Sequence, residues 1–234
     1  MISQGKRSIF LKWTITQNRN TMGYHISIRR IPSYCTRSLN ITENWLYLNL
    51  SMAYYRIKIS AYNEAGESPA VTYLVPEFTT EYYSVGKNDL PDQINVSNNQ
   101  NHTVVSWNLK YTPKRIVIDW GTGIENMDLE IISGRMKKKT LGQLQPYRLY
   151  KVMLHAFHGS CEDFLKHEWT FGMTYFYALE GVPRTGPTNV TIPVVTKHSA
   201  LVKWTEIPAQ ERLGFLQSYR IHCIEIPKNV SLSK

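Results

Sequence analysis

The sequence predicts an all-β protein built of tandem sandwiches. Three observations carry this reading. Aromatic residues make up 12 % of the 234 positions, with 15 Tyr and 6 Trp, and aromatic side chains suit a pleated, half-buried surface. The apolar residues fall in short runs that alternate with period two, as half-buried strands require. The chain also repeats itself at a spacing close to 95 residues, which is one small domain per repeat.

The repeat is clearest at tryptophan. Ile9-Phe-Leu-Lys-Trp13, Thr103-Val-Val-Ser-Trp107 and Ala200-Leu-Val-Lys-Trp204 are matching strands, with their Trp residues 94 and 97 apart. The positions two and four before each Trp share its face, so each strand offers one apolar side. A second strand follows each Trp: Tyr24-His-Ile26-Ser-Ile28, Ile116-Val-Ile118-Asp-Trp120 and Tyr219-Arg-Ile221-His-Cys223.

A further strand occurs twice. Tyr55-Arg-Ile57-Lys-Ile59-Ser-Ala61 aligns with Tyr150-Lys-Val152-Met-Leu154-His-Ala156. Tyr, two aliphatics and Ala face inward, and Arg56, Lys58, Lys151 and His155 are expected to face solvent. Leu144-Gln-Pro146-Tyr-Arg-Leu-Tyr150 has the layout of a tyrosine corner. Asn63-Glu-Ala-Gly66-Glu-Ser-Pro69 reads as a hairpin turn into a last strand from Ala70 to Val75. Short strands in a repeat of this length describe an immunoglobulin-like sandwich, with Trp13, Trp107, Trp204, Tyr55 and Tyr150 as core anchors.

Charge and cysteine add limits. The net charge of +9 is scattered, and the one tight run, Lys137-Lys138-Lys139, reads as a solvated loop rather than a polyanion contact. No nucleic-acid module is present. Cys35, Cys161 and Cys223 have no CxxC spacing, so neither zinc nor a redox motif is expected, and the odd count implies a free thiol or a missing partner. Mean hydropathy is −0.33 and no run is long and apolar enough to span a membrane. The first ten residues lack the apolar core of a signal peptide. Six sequons, at Asn40, Asn49, Asn95, Asn101, Asn189 and Asn229, exceed the roughly two that composition would supply by chance and favour a secretory route.

Candidate chemistry is sparse. His155, His158, Cys161 and His167 read as an exposed loop cluster rather than metal ligands, because His155 and His158 would point to different faces of a strand. Asp119 and Glu125, flanking Gly121-Thr-Gly123, read as loop residues rather than a catalytic carboxylate pair. Arg56 and Lys58 read as solvated charges rather than rungs of a cation–π ladder with Tyr73. No catalytic, cofactor or metal residues are assigned, and the chain reads as a non-enzyme.

The string Tyr55…Ala61-Tyr-Asn63-Glu-Ala-Gly66-Glu-Ser68-Pro69 resembles the sixth strand and following turn of a fibronectin type III domain. Glu180-Gly-Val-Pro183-Arg-Thr-Gly186-Pro187 and Glu206-Ile-Pro208-Ala-Gln-Glu211-Arg212-Leu-Gly214-Phe215 resemble a junction and following domain in tall class I cytokine receptors of the interleukin-6 signal-transducer type.

That resemblance implies tandem fibronectin type III domains over 1–80, 81–181 and 182–234. The first would lack strand A, and the last would end after its third strand, at Tyr219–Cys223, leaving an open edge. Short linkers at Thr79–Gly86 and Gly181–Pro187 would limit the angles between domains. The resemblance further implies a leg fragment of a membrane-anchored parent on the extracellular side of the plasma membrane. That parent would bind a four-helix-bundle cytokine together with a second receptor chain. No Trp-Ser-x-Trp-Ser motif is present, and one cysteine per repeat leaves no intradomain disulfide. An adhesion or guidance protein with the same domains, or a soluble decoy form, are the alternative readings.

Overall fold

The computed structural model describes residues 2–3, 5–14, 21–32, 35–76, 94–99, 102–123 and 125–224. The chain forms two compact units, Met1–Leu179 and Glu180–Lys234.

The first unit holds two sandwiches. In the first repeat the strands are β1 (Ile2–Ser3), β2 (Lys6–Lys12), β3 (Gly23–Ile31), β4 (Thr36–Ile41), β5 (Trp45–Ser51), β6 (Tyr54–Asn63), β7 (Gly66–Glu67) and β8 (Val71–Val75). One antiparallel sheet runs β1-β2-β5 and the other runs β4-β3-β6, with β7 and β8 both pairing β6. The alternation seen in sequence sets the faces. Ile26, Ile28, Leu48, Leu50, Tyr55, Ile57 and Ile59 are buried, and Ile9 and Leu11 of β2 pack against them together with Trp13, which follows that strand. Asn63 Oδ1 accepts the Ala65 N–H at 2.9 Å and Gly66 takes a φ of 136°, which favours glycine, so the chain reverses at the expected turn.

The second repeat comprises β9 (Ile94–Asn99), β10 (His102–Trp107), β11 (Arg115–Gly121), β12 (Met127–Ser133), β13 (Lys138–Thr140), β14 (Leu149–Phe157), the short helix α1 (Phe164–His167) and β15 (Glu168–Tyr177). Its sheets run β13-β10-β9 and β12-β11-β14-β15. Val105, Trp107, Ile116, Ile118, Trp120, Tyr150, Val152, Leu154 and Phe171 fill the core. The Tyr150 hydroxyl accepts the Gln145 N–H at 3.0 Å, which ties the strand back to the turn before it. Lys139 lies in β13 and pairs with Glu130, while Lys137 and Lys138 are exposed.

The second unit contains the hairpin β16 (Thr188–Val195) and β17 (Ala200–Thr205), followed by α2 (Ala209–Arg212). Residues 215–224 form no strand, which differs from the strand expected at Tyr219–Cys223. Among the described residues that segment finds no ladder partner, and alternation alone does not make a strand. Tyr219 instead packs its ring on Trp204, 5.2 Å between centroids, and its hydroxyl accepts the Ile207 N–H at 3.3 Å. The expected linker at Gly181–Pro187 is bonded rather than free. Gly181 N–H donates to Leu213 O, Arg184 N–H to Glu211 O, and the Glu180 carboxylate accepts the Phe215 N–H. The expected linker at Thr79–Gly86 lies outside the described residues.

Candidate functional site: a buried polar lock between two sandwiches

The outer face of the β11–β14 sheet is covered rather than solvated. Val117 of β11, Phe157 of β14 and Phe164 of α1 belong to the first repeat's core, and the Phe164 ring stacks on Tyr55, 6.3 Å between centroids. Met52 and Met153 are buried together beside this contact. Strands apolar on both parities are strands buried on both faces.

Polar side chains from both repeats meet inside this contact. Arg30 follows Tyr24, Ile26 and Ile28 on the inward parity of β3, so the fold places a guanidinium where an aliphatic would sit. It is fully buried. Its Nη2 donates to Asp119 Oδ2 at 2.6 Å and its Nε to Glu168 Oε1 at 2.8 Å. Ser51 donates to the same Glu168 oxygen at 2.9 Å and lies 2.7 Å from the Tyr55 hydroxyl. His155 Nε2 lies 3.2 Å from Asp119 Oδ1, and because a carboxylate only accepts, Nε2 carries the proton. His155 Nδ1 contacts Thr170 Oγ1 at 2.9 Å, and Thr170 Oγ1 also accepts the Met52 N–H at 2.9 Å.

The electrostatics follow from burial and pairing. Burial alone would push the Asp119 carboxyl up. The charges of His155 and Arg30 and their hydrogen bonds outweigh it and hold the carboxyl below the usual carboxylate range. Burial, then the Glu168 charge, push the Tyr55 hydroxyl well above its ordinary pKa, so it stays protonated. Burial lowers the Lys6 ammonium, with Glu168 opposing. Lys6 Nζ donates to the carbonyls of Leu165 and Lys166, both at 2.7 Å, and Arg7 Nη2 to that of Ala53 at 2.6 Å.

A covalent link lies beside the ions. Cys35, from the β3–β4 turn, is bonded to Cys161, from the β14–α1 connection, at a sequence separation of 126. Gly5 brings the backbones together at another point. A Cβ there would meet Thr170 O at 1.8 Å, and φ is 75°, so a side chain is excluded twice over.

Three expectations are corrected by this arrangement. His155 and Lys151 are buried, not solvent-facing: the first sandwich covers His155 through the Met52–Thr170 contact, and Lys151 lies over Tyr175 of its own sheet. Asp119 lies within β11 and is fully buried, not in a loop; Glu125 does lie in the turn and is exposed. Of the set read as an exposed loop cluster, His158, Cys161 and His167 are exposed, and His155 is buried. His155 is in the lock, Cys161 is disulfide-bonded, and His158 stacks on Trp169, 5.2 Å between centroids. No group of three or more His, Cys, Asp or Glu among the described residues could hold a metal.

The other singled-out residues fall as follows. Arg56 and Lys58 are exposed, and Tyr73 pairs with Ile57, so it stands on the opposite face of the sheet from them. A cation–π contact does form elsewhere, with Lys151 over the Tyr175 ring, 5.6 Å to the centroid. Trp107, Tyr55 and Tyr150 are buried, and Trp13 and Trp204 are half-buried. The indole N–H groups of Trp13 and Trp107 find no acceptor among the described residues, so packing alone holds them. Asn40, Asn49, Asn95 and Asn189 are exposed; Asn101 and Asn229 lie outside the described residues. Cys223 is an exposed free thiol.

Sequence patterning missed the lock. The signal was there in the unbroken apolar runs Ile116–Ile118 and Val152–Leu154, and in an arginine on the inward parity of β3.

Thr170, His155 and Asp119 reproduce the connectivity of a hydroxyl–imidazole–carboxylate relay. All three are fully buried, and the Thr170 oxygen is engaged by a backbone N–H, so no substrate can reach it. The site holds two bodies together; it does not turn over a substrate.

Two antiparallel sandwiches in tandem, each with an inner face built on a Trp strand and a Tyr strand, make an all-β fold of the tandem-sandwich kind. No protein-family model matches the chain. Over 94 % of its length it is 22 % identical to the human interleukin-31 receptor subunit alpha, and over 93 % it is 24 % identical to the mouse protein. It spans about 30 % of the length of these relatives. A shorter stretch, 36 % of the chain, is 31 % identical to mouse protein sidekick-2 and covers 4 % of that protein. Among solved structures, a two-domain fibronectin type III segment of chicken tenascin aligns with 76 % of this chain and 94 % of its own, at 16 % identity and a TM-score of 0.32. The curated relatives matched over most of the chain are receptor subunits, not enzymes.

Proposed function

We propose that the chain is part of the extracellular region of a class I cytokine receptor, and that its first 179 residues act as a rigid strut. On this reading the parent is anchored in the plasma membrane. It binds a four-helix-bundle cytokine together with a second receptor chain, and the strut fixes the spacing of the two. The domains are those bounded at 1–80, 81–181 and 182–234. No helix among the described residues is long and apolar enough to cross a membrane.

The observation that carries the reading is the Arg30–Asp119–Glu168 lock beside the Cys35–Cys161 bond. Tandem domains move relative to one another by default unless the interface between them is large and apolar. An interface with buried ions, shared core residues and a covalent cross-link supports a fixed angle. The test is the full-length parent in cells, carrying R30A together with C35S and C161S. Cytokine binding is expected to persist while the signalling response falls several-fold. An unchanged response from a demonstrably loosened variant contradicts the strut.

The 36 % of the chain that matches sidekick-2, a protein not named as a receptor, leaves a second reading, an adhesion or guidance protein with the same domains. Cell aggregation driven by the parent without any cytokine would select it.

A further inference from the structure

Strand β5 presents Leu46, Leu48 and Leu50 to the core, so Trp45, Tyr47 and Asn49 stand on its outer face. Tyr47 is paired directly with Phe10 of β2, and Asn49 with the small Ser8. Phe10 and Trp45 are stacked, with centroids 6.0 Å apart and planes at 29°. Phe10 is 60 % exposed, Tyr47 58 % and Trp45 48 %. Three large aromatic side chains gathered on one solvent face of a sheet are unusual and mark a surface that something covers.

We infer that this aromatic platform seats the first sugars of a glycan carried on Asn49. The occupant is argued from the strand itself. Asn49 heads an Asn-Leu-Ser sequon and is exposed. It stands two residues from Tyr47 on the same face, roughly 7 Å along the strand, which is within reach of a sugar attached to its amide. The apolar C–H face of a pyranose stacks on an aromatic ring, while its hydroxyls stay in water. Ser8 opposite leaves the space beside Asn49 open.

The sequon serine adds a constraint on timing. Ser51 is fully buried, with its hydroxyl engaged by Tyr55 and Glu168. An acceptor sequon must be accessible to be modified, so Asn49 is glycosylated before the lock closes. Glu168 lies 117 residues further along the chain, so modification during synthesis precedes its arrival.

The inference requires passage through the secretory route but not the receptor reading; an unoccupied Asn49 in secreted protein overturns it and leaves that reading intact. The test is hydroxyl-radical footprinting of the chain secreted from mammalian cells, before and after enzymatic removal of its N-glycans. Asn49 is expected to be occupied, and oxidation of Phe10, Trp45 and Tyr47 to rise about threefold on glycan removal. Trimming to the first sugar is expected to keep most of the protection. Occupancy without protection, or protection that survives complete removal, overturns the inference. As a second readout, glycan removal is expected to lower Tm in the unsubstituted chain and much less in Tyr47→Ala. Equal losses in the two contradict the platform.

Discussion

Arg30 carries the greatest consequence of any single side chain. Its replacement by Ala strands Asp119 and Glu168 in a dry interface. Breaking a buried ion pair by removing one partner costs about 3–5 kcal/mol, and R30A is expected to lose that much in denaturant unfolding. Restoring apolar volume while also removing both acids should recover most of it, because a buried pair contributes little beyond packing. Asp119 makes the lock sensitive to acid. Its folded pKa lies below its unfolded value, so the stabilisation is present above the unfolded pKa and disappears as pH falls through the folded one. Urea midpoints are expected to drop on acidification below about pH 4, and D119N should show a shallower drop. An identical acid profile for D119N would remove Asp119 from the account.

At the scale of elements, Tyr150 anchors the start of β14. Y150F leaves the Gln145 N–H without its protein acceptor, and because Gln145 is exposed and water takes that place, the expected loss is about 0.5–1.5 kcal/mol, read from the denaturation midpoint. In the first two repeats the Trp strand, the strand after it and the Tyr strand were legible because Trp13, Trp107, Tyr55 and Tyr150 sit on clean period-two patterns. The hairpin at Asn63–Pro69 was legible because Asn and Gly declare the turn. The lock was not. Period two assigns two faces to a strand but does not say what covers the second one, so His155 read as a solvent-facing residue and Asp119 as part of a loop. The Cys35–Cys161 pairing was equally hidden, because sequence spacing counts cysteines within repeats and this bond joins two of them. Tyr219–Cys223 failed in the other direction: it alternates correctly, yet a strand needs a neighbour to bond to.

At the scale of the molecule, the first two sandwiches form one body. The disulfide closes a loop of 126 residues, and in the loop-entropy account such a bond contributes about 4–5 kcal/mol. Peptide mapping without reductant should therefore recover a Cys35–Cys161 cross-linked peptide and leave Cys223 alkylatable. Recovery of Cys35 and Cys161 as free thiols would dissolve the covalent half of the strut.

The central claim is that the two sandwiches of the first 179 residues open together. Native-state hydrogen exchange of the oxidised full chain tests it most directly, because amides in one cooperative unit share one opening free energy. The central amides of β6, at Ile57 and Ile59, and of β14, at Val152 and Leu154, are expected to exchange with the same free energy and the same denaturant dependence, and to separate in R30A combined with C35S and C161S. Two distinct opening energies in the unsubstituted chain would contradict the account and return the pair to independent domains on a hinge.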